Sequence, residues 1–103
     1  MKLKQVDGPL PVKVQLAIFK SVLEHYNWYT GLCSALYSIA RYVYNYDISI
    51  SRTPSEHFPL FTRENAIEHA GAKAKGAYWW SFDDYESRRI FLDWIISELK
   101  KHA

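Results

Sequence analysis

With 103 residues, 49% of them hydrophobic and 23% charged, the chain has the size and balance of one folded domain, and neither a disordered nor a fibrous composition. A net charge of +2, with no run of more than two basic residues, argues against a protein that coats nucleic acid, which needs a clustered basic face. The single cysteine, Cys33, excludes an intrachain disulfide framework and fits a reducing compartment, and no apolar run approaches membrane-spanning length.

Residues 1–11 carry Gly8, Pro9 and Pro11 and read as an extended arm leading into a single helical domain over residues 12–103. Val12, Leu16, Phe19, Leu23 and Tyr26 then recur at steps of four, three, four and three, the stripe of an amphipathic helix over about 12–27. Lys13, Gln15, Lys20 and Glu24 fall off that stripe and are expected on its solvated face. After a short connection, Thr30 is placed to cap a second helix over 31–45, with Leu32, Leu36, Ile39 and Val43 as its core stripe. Tyr37, Arg41 and Tyr44 lie together on a border of that helix. The brevity of the connection predicts an antiparallel pair.

Beyond Asn45 the pattern loosens, and two alternating isoleucines, Ile48 and Ile50, do not establish a strand. Thr53-Pro54-Ser55-Glu56 has the form of a capping box, but Pro59 limits it to about one turn. Thr62 caps a short helix over 63–70 that Gly71 ends. A last helix is expected over 83–101, with Asp83, Asp84 and Glu86 in its first turn, Lys100, Lys101 and His102 in its last, and Phe91, Trp94, Ile95 and Leu99 as its core stripe. The prediction is therefore an all-α domain, a small helical bundle of three main helices plus short helical turns.

Aromatic residues are dense, at 17% with 4 Trp and 8 Tyr, and they culminate in Tyr78-Trp79-Trp80 just before the last helix. Successive side chains of an extended triplet alternate in direction, so one of Trp79 and Trp80 is expected inside and the other partly exposed, as a stacking platform or interface anchor. Arg89 points away from the apolar stripe, whereas Arg88 lies within the apolar arc, four residues after Asp84. That spacing suits either an Asp84–Arg88 bridge closing the bundle end or an Arg88 facing a pocket walled by the tryptophans. Tyr78, Trp79, Trp80, Asp84, Arg88 and Arg63 are the expected ligand- or partner-binding residues.

No catalytic constellation emerges. Cys33 sits near a helix start, where a thiolate is favoured, but no histidine can be set beside it and burial is the commoner fate of a small thiol. Glu-His occurs three times, but neighbours on a helix do not face each other; Glu64 and Glu68 share a face without a second ligand cluster. No glycine-rich nucleotide fingerprint or serine elbow is present. The expectation is no enzyme, no metal and no cofactor.

Gly31-Leu32-Cys33-Ser34-Ala35-Leu36, Tyr78-Trp79-Trp80, and Arg88 with Phe91-Leu92 and Ile95 together resemble a pattern in small proteins of tailed bacteriophages, over about residues 31–99. The resemblance implies a phage-encoded accessory protein acting in the cytoplasm of an infected bacterium, and it transfers no catalytic residue. Accessory proteins of this kind block a host factor or a defence system, and some sequester nucleotide signals. The expected function is thus a non-enzymatic binding protein that engages a host protein through an aromatic and arginine patch. The alternative is a sponge for a nucleotide or nucleotide signal, in which rings stack on bases and Arg88, Arg63 or a lysine of the 71–76 loop holds phosphate. Either a monomer or a homodimer is compatible with so many large rings in a small chain.

Overall fold

Three amphipathic segments and two proline- or glycine-bounded turns must bury their apolar faces on one another, and they do so as a helical domain. In the computed structural model, residues 2–25, 31–49, 53–71 and 85–103 are described. The helices are α1 (Val12–His25), α2 (Leu32–Tyr42), α3 (Arg63–Ala70) and α4 (Tyr85–Lys100), with one 3-10 turn, Pro54–Glu56, before α3. Two two-residue strands, β1 (Lys4–Gln5) and β2 (Tyr46–Asp47), pair in parallel, Lys4 opposite Tyr46 and Gln5 opposite Asp47. α1 makes its broadest contact with α4 and also packs on α2, while α3 packs on α4. Among the described residues no helix is long and apolar enough to cross a membrane.

The buried face of α1 is Gln15, Ile18, Phe19 and Val22, rotated from the expected stripe; among that stripe's described members only Phe19 is fully buried, and Tyr26 lies outside the described residues. Val12, Leu16 and Leu23 sit at the margin of the core instead. The rotation follows from α1 lying against both α2 and α4, so that the Ile18–Val22 row is enclosed from two sides. Gln15, expected on the solvated face, is 3% exposed. Its Nε2 donates to the Leu10 carbonyl at 2.6 Å, which satisfies the amide where no water reaches it.

α2 begins one residue later than the expected cap: Gly31 is its N-cap, without a side-chain cap bond, and Thr30 lies outside the described residues. Its buried face is Leu32, Cys33, Ala35, Leu36, Tyr37, Ile39 and Ala40. Tyr37, expected on the border, is therefore inside. Val43, expected in the stripe, is 61% exposed. The reason is local. Asn45 takes φ 61°, a left-handed conformation that asparagine tolerates, and the Val43 and Tyr44 N–H groups both donate to the Ile39 carbonyl. The helix therefore closes before Val43 can complete the stripe.

The 3-10 turn starts at Pro54 as expected, but Thr53 makes no side-chain cap bond there; the turn closes by the Glu56 N–H donating to the Thr53 carbonyl. In α3 the Thr62 hydroxyl accepts from the Asn65 N–H at 3.1 Å, and Gly71, at φ 92°, ends the helix. α4 buries Phe91, Leu92, Ile95, Ile96 and Leu99, and Trp94 is half-buried, stacked on His69 of α3 with ring centroids 3.9 Å apart. Phe91 continues that stack to Phe61 at 5.7 Å.

The N-terminal arm is stitched to the domain. The Lys4 N–H donates to the Asn45 carbonyl at 2.7 Å, and the Leu10 N–H to the His57 carbonyl at 3.1 Å. His57 Nδ1 lies 2.8 Å from the Gly8 carbonyl, which can only accept, so this nitrogen carries the proton. Leu10 is buried at the end of the arm, and Gln15 completes the clasp.

Replacing Gln15 with Ala leaves the Leu10 carbonyl without its donor, and is expected to cost about 1–3 kcal/mol of stability in urea unfolding. Replacing exposed Lys13 with Ala on the opposite face is expected to change stability by less than about 0.5 kcal/mol.

Candidate functional site

The corner expected at the start of α4 is only partly described. Tyr78, Trp79, Trp80 and Asp84 lie outside the described residues. Arg88 is 2% exposed and Arg89 is exposed, as their places on the helix require. A guanidinium at that depth must be paired, because desolvating an isolated charge costs on the order of several kcal/mol. Arg63, at the first position of α3, is exposed, so the two arginines occupy different environments. Their convergence on one ligand is not shown.

A second place is concave. At the C-terminal end of α2, Tyr37, Ser38, Arg41 and Tyr42 face Ile48 and Ser49, which follow β2, across an open hollow of about 430 Å³. The helix supplies one wall by its period: Tyr37 and Arg41, and Ser38 and Tyr42, are each four residues apart and so stand one turn above the other. The facing wall is held by the β1–β2 pairing and by Arg41 itself, whose Nη1 donates to the Ile48 carbonyl at 3.3 Å and lies 3.8 Å from Asp47 Oδ1. Asp47 Oδ2 in turn accepts from Gln5 Nε2 at 3.0 Å, and Lys4 Nζ lies 4.8 Å above the Tyr46 ring. The arm thus braces the hollow from outside.

Tyr37 differs from the other lining residues. It is 2% exposed, its ring packs edge-on against Phe58 and His57, and its hydroxyl has no hydrogen-bond partner among the described residues. Burial pushes its pKa well above the ordinary tyrosine range, with Cys33 and Glu56 adding to the effect, so the phenol stays a neutral donor at any physiological pH. Exposed Tyr42 (77%) and Val43 form the outer lip.

The sequence groups Tyr37, Arg41 and Tyr44 by their helical spacing. The facing wall leaves no such signal, because Asp47 and the arm residue that braces it, Gln5, are 42 residues apart.

Cys33 is buried in α2, and burial pushes its thiol up to about 11 from an ordinary 9.0. A thiol so placed is protonated at neutral pH and a poor nucleophile. Among the described residues no three His, Cys, Asp or Glu side chains are grouped to hold a metal ion.

The folded state holds the Cys33 proton that the unfolded state releases above its ordinary value, so the contribution to stability is complete below about pH 9 and lost as pH rises toward 11. Stability measured against pH is expected to fall over that window by up to ~3 kcal/mol, and the Cys33→Ala variant is expected to lack the part of the fall that begins below the tyrosine range.

No protein-family model, no curated protein and no solved structure matches the chain.

Proposed function

We propose that this chain is a non-enzymatic binding protein, a phage-encoded accessory factor that engages a host protein through an aromatic and arginine-bearing surface. One observation carries the reading: the last turn of α2 presents Tyr42 and Val43 to solvent beside half-exposed Arg41. Tyrosine and arginine are among the residues that dominate interface energetics, and a valine left outside the core by the early closure of α2 supplies apolar area next to them. Tyr78, Trp79, Trp80 and Asp84, outside the described residues, and exposed Arg63 are assigned to the same kind of surface in this proposal, whereas Arg88, at 2% exposure, is left out of it. The buried, protonated Cys33 thiol supports a role other than catalysis. The resemblance to small tailed-phage proteins supports a host factor as the partner and the host cytoplasm as the place.

A second reading, a nucleotide-binding sponge, is supported by the concavity beside Arg41 and Tyr42, because a guanidinium and a ring are the two elements a phosphate-bearing base needs.

The test is capture of the partner from bacterial lysate on the immobilised chain, its identification, and titration of the purified partner against wild type, Tyr42→Ala and Val43→Asp. Both side chains are exposed, so each variant is expected to retain its stability within about 0.5 kcal/mol. Each is expected to weaken partner affinity by about tenfold or more. Unchanged affinity in both variants would remove this surface from the proposal.

A further inference from the structure

We infer that residues 2–7 form an exchangeable arm, which leaves its own domain by straightening at Gly8 and pairs with β2 of a second copy of this chain. The inference rests on the arm and the strand beneath it, and not on the partner surface at the end of α2.

The first observation is where the attachment of the arm divides. Leu10 is 2% exposed, its N–H donates to the His57 carbonyl, and its own carbonyl accepts from buried Gln15. That part belongs to the core and to the start of α1. Among residues 2–9, by contrast, no side chain is fully buried: Lys4 and Gln5 are exposed, and Val6 rests on the edge of the core. The outer arm is held by the Lys4 N–H on the Asn45 carbonyl, the two-residue pairing with β2, the Gln5–Asp47 bond and the Lys4 ammonium over Tyr46. Exposed contacts of this kind contribute little net free energy each, so the outer arm opens far more readily than the domain unfolds.

The second is the hinge. Gly8 has φ 89°, a conformation that side chains rarely tolerate, and Pro9 follows it. Any other residue before a proline is driven toward extended backbone. The bend that folds the arm onto its own domain is therefore made where glycine adopts it at least cost. A Cβ at this position would meet nothing within 4 Å, so backbone conformation, not space, ties glycine to the closed form.

The third is the strand that receives the arm. Lys4 and Gln5 meet residues 45–47, the Gln5–Asp47 bond spanning 42 positions of the chain, so the geometry of the contact does not depend on which copy supplies the arm. Residues 2–7 extend up to about 20 Å, enough to reach a neighbour. With two-fold symmetry each copy receives what it gives, and the strand pairing, the Gln5–Asp47 bond and the Lys4–Tyr46 contact are all remade. This fixes the occupant: an edge that already fits the Lys4–Gln5 strand within one chain fits it from another. The His57 bond to the Gly8 carbonyl lies at the hinge and favours closure. A tethered arm also acts at an effective concentration of about millimolar, so wild type is expected to be monomeric at micromolar concentration and to exchange near millimolar.

Gly8→Ala removes the bias toward closure at both hinges of the pair, and is expected to lower the dimer dissociation constant by about a hundredfold. Light scattering on the whole chain from micromolar to millimolar concentration reads this directly. The route is read by Gln5→Cys with Asp47→Cys in a Cys33→Ala chain, since these positions are partners across the two strands. Oxidised at micromolar concentration, that variant is expected to close its disulfide within the chain. With Gly8→Ala added and the concentration raised, it is expected to link two chains, seen as a covalent dimer on non-reducing electrophoresis. A Gly8→Ala chain that stays monomeric up to about millimolar concentration overturns the proposal. So does a Gly8→Ala dimer whose cysteines close only within chains, because the copies then meet through another surface.

Discussion

The seating of Phe58 between α1 and α2 is the contact on which the rest of the molecule depends. Its ring meets Phe19 edge-on at 5.6 Å and Tyr37 edge-on at 5.7 Å, and all three side chains are buried. Each such pair adds about 0.5–1.5 kcal/mol beyond the area it removes from water. Phe58 is carried there by the short turn that Pro54 opens, and the turn sets His57 beside it at the surface of the core. From that position His57 accepts the Leu10 N–H on its carbonyl and donates from its ring to Gly8. The arm so held reaches Asn45 and pairs with β2, and β2 in turn sets Ile48 and Ser49 opposite α2. The hollow is the last consequence of a packing decision made 21 residues from Tyr37.

Two arginines show how differently one residue type is used. Arg88 is enclosed at the start of α4, where a guanidinium is tolerated only with compensation, and it serves the interior. Arg41 stands at the margin, with an aliphatic stem against the helix end and a head turned to the β2 segment. Its ion pair with Asp47 is half-exposed and contributes little to stability by itself. Its value is geometric: it ties the helix wall to the strand wall.

The early end of α2 connects fold and function in the same way. A left-handed Asn45 stops the helix and starts the segment that pairs with the arm, and Val43, still helical at the end of α2, is left uncovered. The surface that a partner meets and the hollow beside it thus arise from one backbone event, and they share Arg41 and Tyr42.

The all-α class, the places of α1, α3 and α4, the one-turn limit at Pro54, the Thr62 cap, the Gly71 stop and the contrast between Arg88 and Arg89 are all legible in the order of residues. These are local properties: apolar period, capping oxygens and backbone freedom act within a few residues. Only the tertiary structure decided which face of α1 turns inward, that Gln15 is buried rather than solvated, that Tyr37 leaves the border for the interior, and that Val43 does the reverse. The same holds for the parallel pairing of the arm with β2 and for the hollow it braces. Each of those depends on two segments meeting across dozens of residues, and which of several similar apolar faces is enclosed is settled by the neighbours that enclose it, not by the period of the face itself.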